Sequence, residues 1–474
     1  HVFMKIKSLI HSKNENALAF FNILGPIILN GINFFTVPIF TRMLGTENYG
    51  IVSIYTTWVQ VLSIVMGIQT GGTIAVSKAY FEEEEQNAYF SSTLFLSCIT
   101  SAVITLLTVI FIQPISAFMK LDRVIVLLML FQSFGSYAIS FATLKFIYAK
   151  EASKNFLVSV LVSIFSVIIS LILIVNIGKF SDRYWGRIIG YALPNIMIGT
   201  VLAVMILVKG KTFYHKAYWK FCLPLCLPLI FHHLSQIILA QCDRIMLQQL
   251  LNDNGTVGIY SFIFTFVHIL NIIWSALNNT WVPFYYDYVK QNNTEVIERK
   301  SKNYMFLYTA LCIGFVLLSP EVVKLFSSED FWSGMELIPI IAFSCYMVFL
   351  YSFPVNFEFY HKKTLLIACG TCSAAVVNII LNLLFIPWWG NIGAAATTAI
   401  SYIMLFLFHQ IIAKYVIKKG YHYSFSMFLP GICAMILVSV LFYVTIDLWY
   451  IRWPIGMILG VILFWRVYRN KSIF

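Results

Sequence analysis

Four polar side chains fall at matched depths inside apolar stretches: Asn30, Gln60, His232 and His268. At helical rise, Asn30 and His232 lie about 17–20 Å from one end of their stretches, and Gln60 and His268 about 15–17 Å from the opposite end of theirs. All four therefore sit near the middle of a bilayer. Neighbouring positions extend the same helix faces: Asn33 beside Asn30, His233 and Gln236 beside His232, Asn271 and Asn278 beside His268. Amides and neutral imidazoles at such depth are expected to hydrogen-bond sugar hydroxyls, and an imidazole can also carry a proton. The competing reading is polar glue between helices. Four cations form a second set. Arg42 and Arg244 lie near the far ends of their stretches, where they either snorkel, with Asp243 as partner, or hold a phosphate by bidentate contacts. Lys78 and Lys145 lie near the other ends and are candidates for an anionic headgroup.

The elements that carry these residues follow from composition. The chain has 474 residues, 60% apolar and 11% charged, with mean hydropathy +0.82. Soluble domains are nearer half apolar and a quarter charged, so a water-soluble enzyme is excluded. Fourteen apolar segments are legible, at 17–41, 50–77, 89–112, 124–148, 156–176, 187–208, 221–247, 257–284, 304–326, 337–359, 365–386, 392–413, 425–446 and 450–466. Each is long enough to cross a membrane as a helix. Breaks are expected at Leu44-Gly45, Gln113-Pro114 and Trp389-Gly390, and kinks at Pro26, Pro194, Pro224, Pro228 and Pro354. Glu358 is expected to pair with Lys362, and Trp281, Trp388, Trp389, Trp449 and Trp453 to mark the interfaces. The nine cysteines, Cys369-Gly-Thr-Cys372 included, read as inert thiols. No loop has room for a catalytic or nucleotide-binding domain. No Walker A, H-E-x-x-H or dinucleotide glycine pattern occurs. Neither a cofactor, a metal nor nucleic acid is expected.

Lysine and arginine alternate in density along the connections: 23 fall on the side of the termini and 8 on the other. This bias places both termini in the cytoplasm. Met4 reads as the natural start, after a remnant His1-Val2-Phe3. The first half also repeats in the second. Pro26 and Arg42 recur as Pro228 and Arg244, and Gly50-Ile-Val-Ser53 as Gly258-Ile-Tyr-Ser261. Tyr148-Ala-Lys150 recurs as Tyr360-His-Lys362, and Ser166 and Ser170 fall on Asn378 and Asn382. Six helices per copy make a parallel repeat. The expected organisation is a cytoplasmic N-terminus (1–16), an N-lobe of six helices (17–208), a basic linker (209–220) and a C-lobe of six (221–413). Two further helices (425–466) and a cytoplasmic C-terminus (467–474) complete it. Two lobes of this kind would face each other across a cleft.

Several of these pieces also carry a resemblance. They are Pro38-Ile-Phe-Thr-Arg42-Met-Leu-Gly45 with Tyr49-Gly50, Asp243-Arg244-Ile-Met-Leu247 with Val257-Gly-Ile-Tyr-Ser261, and Trp281-Val-Pro283. Asn378-Ile-Ile-Leu-Asn382 with Pro387, Gly390 and Gly393-Ala-Ala-Ala396 is a fourth. In this order the sequence resembles the oligosaccharide flippases (Wzx-type, polysaccharide transport) of the MOP superfamily, which also holds multidrug extrusion transporters and lipid II flippases. The resemblance implies an all-α integral membrane fold of about fourteen helices, MATE-like. It implies transfer of undecaprenyl-diphosphate-linked oligosaccharide between leaflets by alternating access, for capsule- or O-antigen-like polysaccharide. The implied partners are that lipid-linked oligosaccharide, the phospholipid bilayer, and the polymerase and chain-length proteins of the pathway, with the chain itself a monomer. A coupling ion, H+ or Na+, is left open. Lipid II flippases use several cavity arginines; here the midplane holds Asn, Gln and His, which fits sugar recognition better. The alternative is a cation-coupled multidrug or metabolite antiporter of the same fold, which a buried carboxylate at the cleft centre would favour.

Overall fold

The computed structural model describes residues 15–149, 151–417 and 422–470; for 15–30 and a few other positions, among them Asn33, the backbone alone is described. Among the described residues the secondary structure is helical, with no strand. Fourteen long helices follow one another. The helical run Glu15–Gly67 is broken at Gly45 into α1 (15–44) and α2 (46–67). Then come α3 (Gln86–Ile110), α4 (Arg123–Tyr148), α5 (Ala152–Asn176), α6 (Arg183–Gly210) and α7 (Lys216–Leu251). α8 joins Asn254–Val267 to Ile269–Lys290 across a one-residue break at His268. α9 (Thr294–Phe326) and α10 (Ile338–Tyr360) follow. The run Thr364–Ile411 is broken at Gly390 into α11 (364–389) and α12 (391–411), and α12 runs on as a π-helical turn, Ile412–Ile417. α13 (Leu429–Thr445) and α14 (Trp449–Asn470) complete the described chain. Among the described residues eleven stretches are long and apolar enough to cross a membrane, and one of these, Thr364–Ile417, holds both α11 and α12. A helix pairs its backbone groups within itself except at its ends, which is why so apolar a chain can cross lipid in this form.

The two breaks have one cause. Gly45 has φ 70° with extended ψ, and Gly390 has φ 53°. Side chains other than glycine's rarely adopt such angles. Both breaks lie where Leu44-Gly45 and Trp389-Gly390 were expected to supply them. Pro194, Pro224, Pro228 and Pro354 sit inside helices that continue through them; Pro26 lies outside the residues whose side chains are described.

One segment differs from expectation. The stretch 50–77 does not run through as one helix. α2 stops at Gly67, and Ile68 and Gln69 turn with φ 40° and 54°. A 3-10 turn, Thr70–Thr73, then leads to a short helix, Ile74–Tyr80, which carries Lys78. The freed carbonyls are satisfied from other helices: Ser97 donates to Gly67 O at 2.9 Å and Thr100 to Met66 O at 2.6 Å. The Tyr137 ring fills the space a Cβ on Gly67 would need. Tertiary hydroxyls thus make an in-membrane break tolerable.

By internal packing the chain divides into two units, His1–Leu44 with Ile51–Ile237, and Gly45–Gly50 with Ile238–Phe474. The expected linker 209–220 lies within the first unit. The first is held by α3, α4, α6 and the start of α7, around Tyr89, Leu94, Tyr137, Phe141 and Tyr218. In the second, Gly50 and Gly258 make a backbone crossing. A Cβ on Gly50 would lie 1.9 Å from Asn254 O, and one on Gly258 1.9 Å from Thr46 O. α14 is tied to α9 by Arg452, fully buried, whose Nη1 donates to Leu317 O at 2.6 Å and to Glu321 Oε2 at 3.0 Å.

Candidate functional site

Within the first unit, α7 presents His232 and His233 half-buried, ring centroids 5.6 Å apart. His232 Nδ1 is buried with no hydrogen-bond partner. Gln236, one turn on, is exposed, as is Gln60 on α2. Asn30 and Asn33 lie on α1 with side chains outside the described residues. Lys78 Nζ donates to the Tyr148 carbonyl at the end of α4, an orphan acceptor of that helix. Lys145, half-buried in the last turn of α4, lies over the Phe90 ring at 5.5 Å. The two lysines thus serve the same helix end. Arg42 is exposed.

Within the second unit, α8 brings His268 and Asn271 together, Asn271 Nδ2 to His268 Nδ1 at 3.1 Å. His268 occupies the helix break and stacks on Phe264, centroids 5.8 Å apart. Arg244 lies over that same ring, 4.7 Å from its centroid. Arg244, Phe264, His268 and Asn271 therefore form one cation–aromatic–imidazole–amide series. Asn278, further along α8, instead accepts from Asn356 Nδ2 at 3.0 Å.

The expected partner of Arg244 does something else. Asp243 is buried, and its three donors are neutral: Tyr260 OH at 2.5 Å, Thr398 Oγ1 at 2.7 Å and Asn382 Nδ2 at 2.7 Å. Asn382 Nδ2 also donates to Asn378 Oδ1 at 3.1 Å, and Asn382 Oδ1 accepts from Thr397. Arg244 is itself buried, with Nη1 3.4 Å from Ala240 O. The snorkelling reading of Arg244 is therefore corrected: its guanidinium packs inward on Phe264. The register explains the convergence. Asp243 lies eight residues before the end of α7, Asn382 eight before Gly390 and Thr398 eight after it. All three are thus about 12 Å in from the same helix ends. A carboxylate, two carboxamide oxygens and three hydroxyls gather here, and a small monovalent cation or a proton would enter by turning these donors away from the carboxylate. Past the end of α7, Asp253 caps α8: it accepts from Gly255 N at 2.9 Å and Thr256 Oγ1 at 2.5 Å, and the Thr256 hydroxyl foremost holds its carboxyl below the ordinary value.

A second buried acid was assigned the wrong partner. Glu358 on α10 pairs with His409 on α12, Oε1 to Nδ1 at 2.8 Å, and both side chains are 0% exposed. Glu358 Oε2 and His409 Nε2 are buried without partners. Lys362 is not that partner, because it follows a left-handed turn that leaves the helix (φ 57°). His409 fits because Gly370 on α11 leaves it space; a Cβ there would lie 2.8 Å from Nε2. Nothing local in the sequence links residues fifty-one apart. The available signal was a histidine inside an apolar run. Trp281 is also corrected: it is fully buried against Tyr285 and Tyr304, whereas Trp388, Trp389 and Trp449 are exposed. Trp453 donates to Glu321 Oε2 at 3.1 Å. Among the described residues, no group of three or more His, Cys, Asp or Glu could hold a metal, and the nine cysteines stand as thiols rather than disulfides.

The chain is 24% identical over 401 residues to an uncharacterized membrane protein of Haemophilus influenzae, covering 80% of this chain and 94% of that one. Its structure is similar to that of the lipid II flippase MurJ in an inward closed conformation, with TM-score 0.75 and 16% identity, over 96% of this chain and 99% of that one. It is also similar to an inward-facing multidrug resistance MATE family transporter of the MOP superfamily, with TM-score 0.61 and 15% identity, over 85% of this chain and all of that one. The fold is therefore of the MurJ and MATE type, as the sequence resemblance implied. Residues 17–289, more than half of the chain, match the polysaccharide biosynthesis protein family, and the chain belongs to it.

Proposed function

We propose that this protein is a flippase, not an enzyme, and that it carries a lipid-linked oligosaccharide from the cytoplasmic to the outer leaflet for surface polysaccharide assembly. The observation that carries the reading is membership of a polysaccharide biosynthesis family by a chain built of membrane-crossing helices. A pathway protein of that build is suited to moving its glycan across lipid. The MurJ structure, titled a lipid II flippase, supports the reading by fold. The lysine and arginine bias supports both termini lying in the cytoplasm. In this reading the halves 17–208 and 221–413 alternate access to a polar belt. His232, His233, Gln236, Gln60, Asn30 and Asn33 of the first unit, and His268, Asn271 and Asn278 of the second, contact sugar hydroxyls. Arg244, Arg42, Lys78 and Lys145 assist the diphosphate along its path. The substrate is an undecaprenyl-diphosphate-linked repeat unit, handed to polymerase and chain-length proteins.

Depletion in the native host tests this, with the lipid-linked oligosaccharide pool assigned to leaflets. Complete units trapped on the cytoplasmic leaflet are expected, and their mass identifies the substrate. An unchanged pool sinks the reading. One observation favours a second reading, a cation-coupled antiporter: Asp243, a buried carboxylate held by two hydroxyls and one amide. Under that reading depletion leaves the glycan pool intact and raises sensitivity to exported compounds.

A further inference from the structure

A cavity of about 620 Å³ opens over α9 in the second unit. Its cause lies in how the last two helices pack. α13 and α14 each lie along α9 but touch each other little, which leaves a trough between them. Met305, Phe306, Thr309 and Ile313 of α9, at helical spacing, form its floor. Pro430, Gly431 and Ala434 form one wall, and Leu459 of α14 the other. The small side chains of α13 keep the trough open. At Gly431 a Cβ would lie 1.9 Å from the Tyr346 hydroxyl oxygen, so nothing larger fits there.

The mouth is chemically different from the floor. It lies at the end where α9 and α13 both begin, and is formed by Glu298, Lys302, His422, Ser424 and Ser426. Glu298 and Lys302 pair at 2.5 Å and are both exposed. Ser424 and Ser426 lie 2.8 Å apart, Oγ to Oγ. His422 Nδ1 is buried without a hydrogen-bond partner. Burial, with His361 and Lys414 nearby, holds that imidazole below its ordinary value. The mouth therefore carries one acid, one base and no net charge, above an apolar trough. Its volume is that of a ligand pocket rather than a packing defect.

A balanced polar mouth on an apolar trough in a membrane protein matches an amphiphile with a zwitterionic head. We propose that this trough binds one zwitterionic phospholipid, with its phosphate at Lys302 and the Ser424 and Ser426 hydroxyls, its ammonium at Glu298, and one acyl chain along α9 between α13 and α14. An anionic headgroup would leave Glu298 facing a like charge. A water-soluble ligand would gain nothing from the trough. The proposal rests on the protein being embedded in a bilayer and is independent of what it transports.

Native mass spectrometry of the purified full chain tests it, with phosphatidylethanolamine and phosphatidylglycerol supplied in equal amounts after mild delipidation. One phosphatidylethanolamine retained per chain is expected. Lys302→Gln, on an exposed side chain that packing does not need, should weaken retention about tenfold, the effect of one lost charge-assisted hydrogen bond. Ala434→Phe, which fills the trough, should abolish it while leaving a monodisperse protein. Retention of no lipid, preferential retention of phosphatidylglycerol, or retention unchanged in Lys302→Gln would each overturn the proposal.

Discussion

Asp243 and Glu358 are both carboxylates buried among apolar helices, but they are satisfied differently. Asp243 accepts from three neutral donors that use both of its oxygens. Glu358 has one partner, His409, and a second oxygen with none. A half-satisfied buried pair contributes little net stability, yet breaking it from one side is costly. His409→Ala should therefore destabilise the protein by about 3–5 kcal/mol, because it leaves the acid buried and alone. Replacing both members by apolar residues, Glu358→Met with His409→Leu, should recover most of that loss. Thermal unfolding of the purified variants in detergent, arranged as a double-mutant cycle, reads the difference. If His409→Ala melts like the parent, the pair is not coupled. Within one helical turn of Glu358 the sequence offers Lys362, so a local search for a partner finds the wrong residue. The true partner is set by how α10 packs on α12.

At the scale of elements, glycine does two different jobs, and only one was legible. Gly45 and Gly390 end helices because their φ angles are positive, and a glycine after a long apolar run is a local signal for that. Gly67 also ends a helix, but the apolar pattern continues to residue 77. What permits the break is Ser97, Thr100 and Tyr137 on other helices, which no local window contains. Gly50 and Gly258 are different again. They sit at helix starts whose backbones nearly touch, each aimed at the other helix's carbonyl. Gly258→Ala puts a methyl 1.9 Å from Thr46 O, and a carbonyl cannot swing aside as a side chain would. The expected cost is about 3 kcal/mol or more. Gly314→Ala on α9 meets nothing within 4 Å and should be neutral or gain up to about 1 kcal/mol from helix propensity. Melting temperatures of the two variants, compared with the parent, decide it; equal melting would mean the crossing can open without penalty.

Across the whole molecule, the internal repeat is visible in contact as well as in sequence. Thr46 and Asn254 are 208 positions apart, as are Gly50 and Gly258, and the crossing pairs Gly50 with Asn254 and Gly258 with Thr46. The copies are not equivalent, however. Asn378 and Asn382 in the second copy join Asp243, whereas of their counterparts Ser170 donates to Ser166 O of its own helix at 2.6 Å. Ser170 also accepts from Arg187 at 3.0 Å, and the position matching Asp243 is Thr41, which bonds its own helix at Val37 O. The two copies therefore share the backbone crossing, while the carboxyl held by hydroxyls and an amide belongs to the second. A transporter needs only one such charge if its role is to bind a coupling cation, since movement of either half can then be linked to a single binding event. Asp243→Asn keeps an acceptor for Tyr260 and Thr398 while removing the charge, so the protein should fold. If the charge holds a coupling cation, delivery of lipid-linked oligosaccharide to the outer leaflet should fall about tenfold or more, within the usual range of coupling energies. Thr41→Ala should leave delivery within about twofold, because the Thr41 hydroxyl donates to carbonyls of its own helix, at Val37 and Pro38, and brings no carboxylate. Complementation of a depleted host, with the glycan pool assigned to leaflets, measures both. Normal delivery by a well-expressed Asp243→Asn variant would assign the carboxylate to packing alone, and the driving force would then have to come from onward consumption of the product.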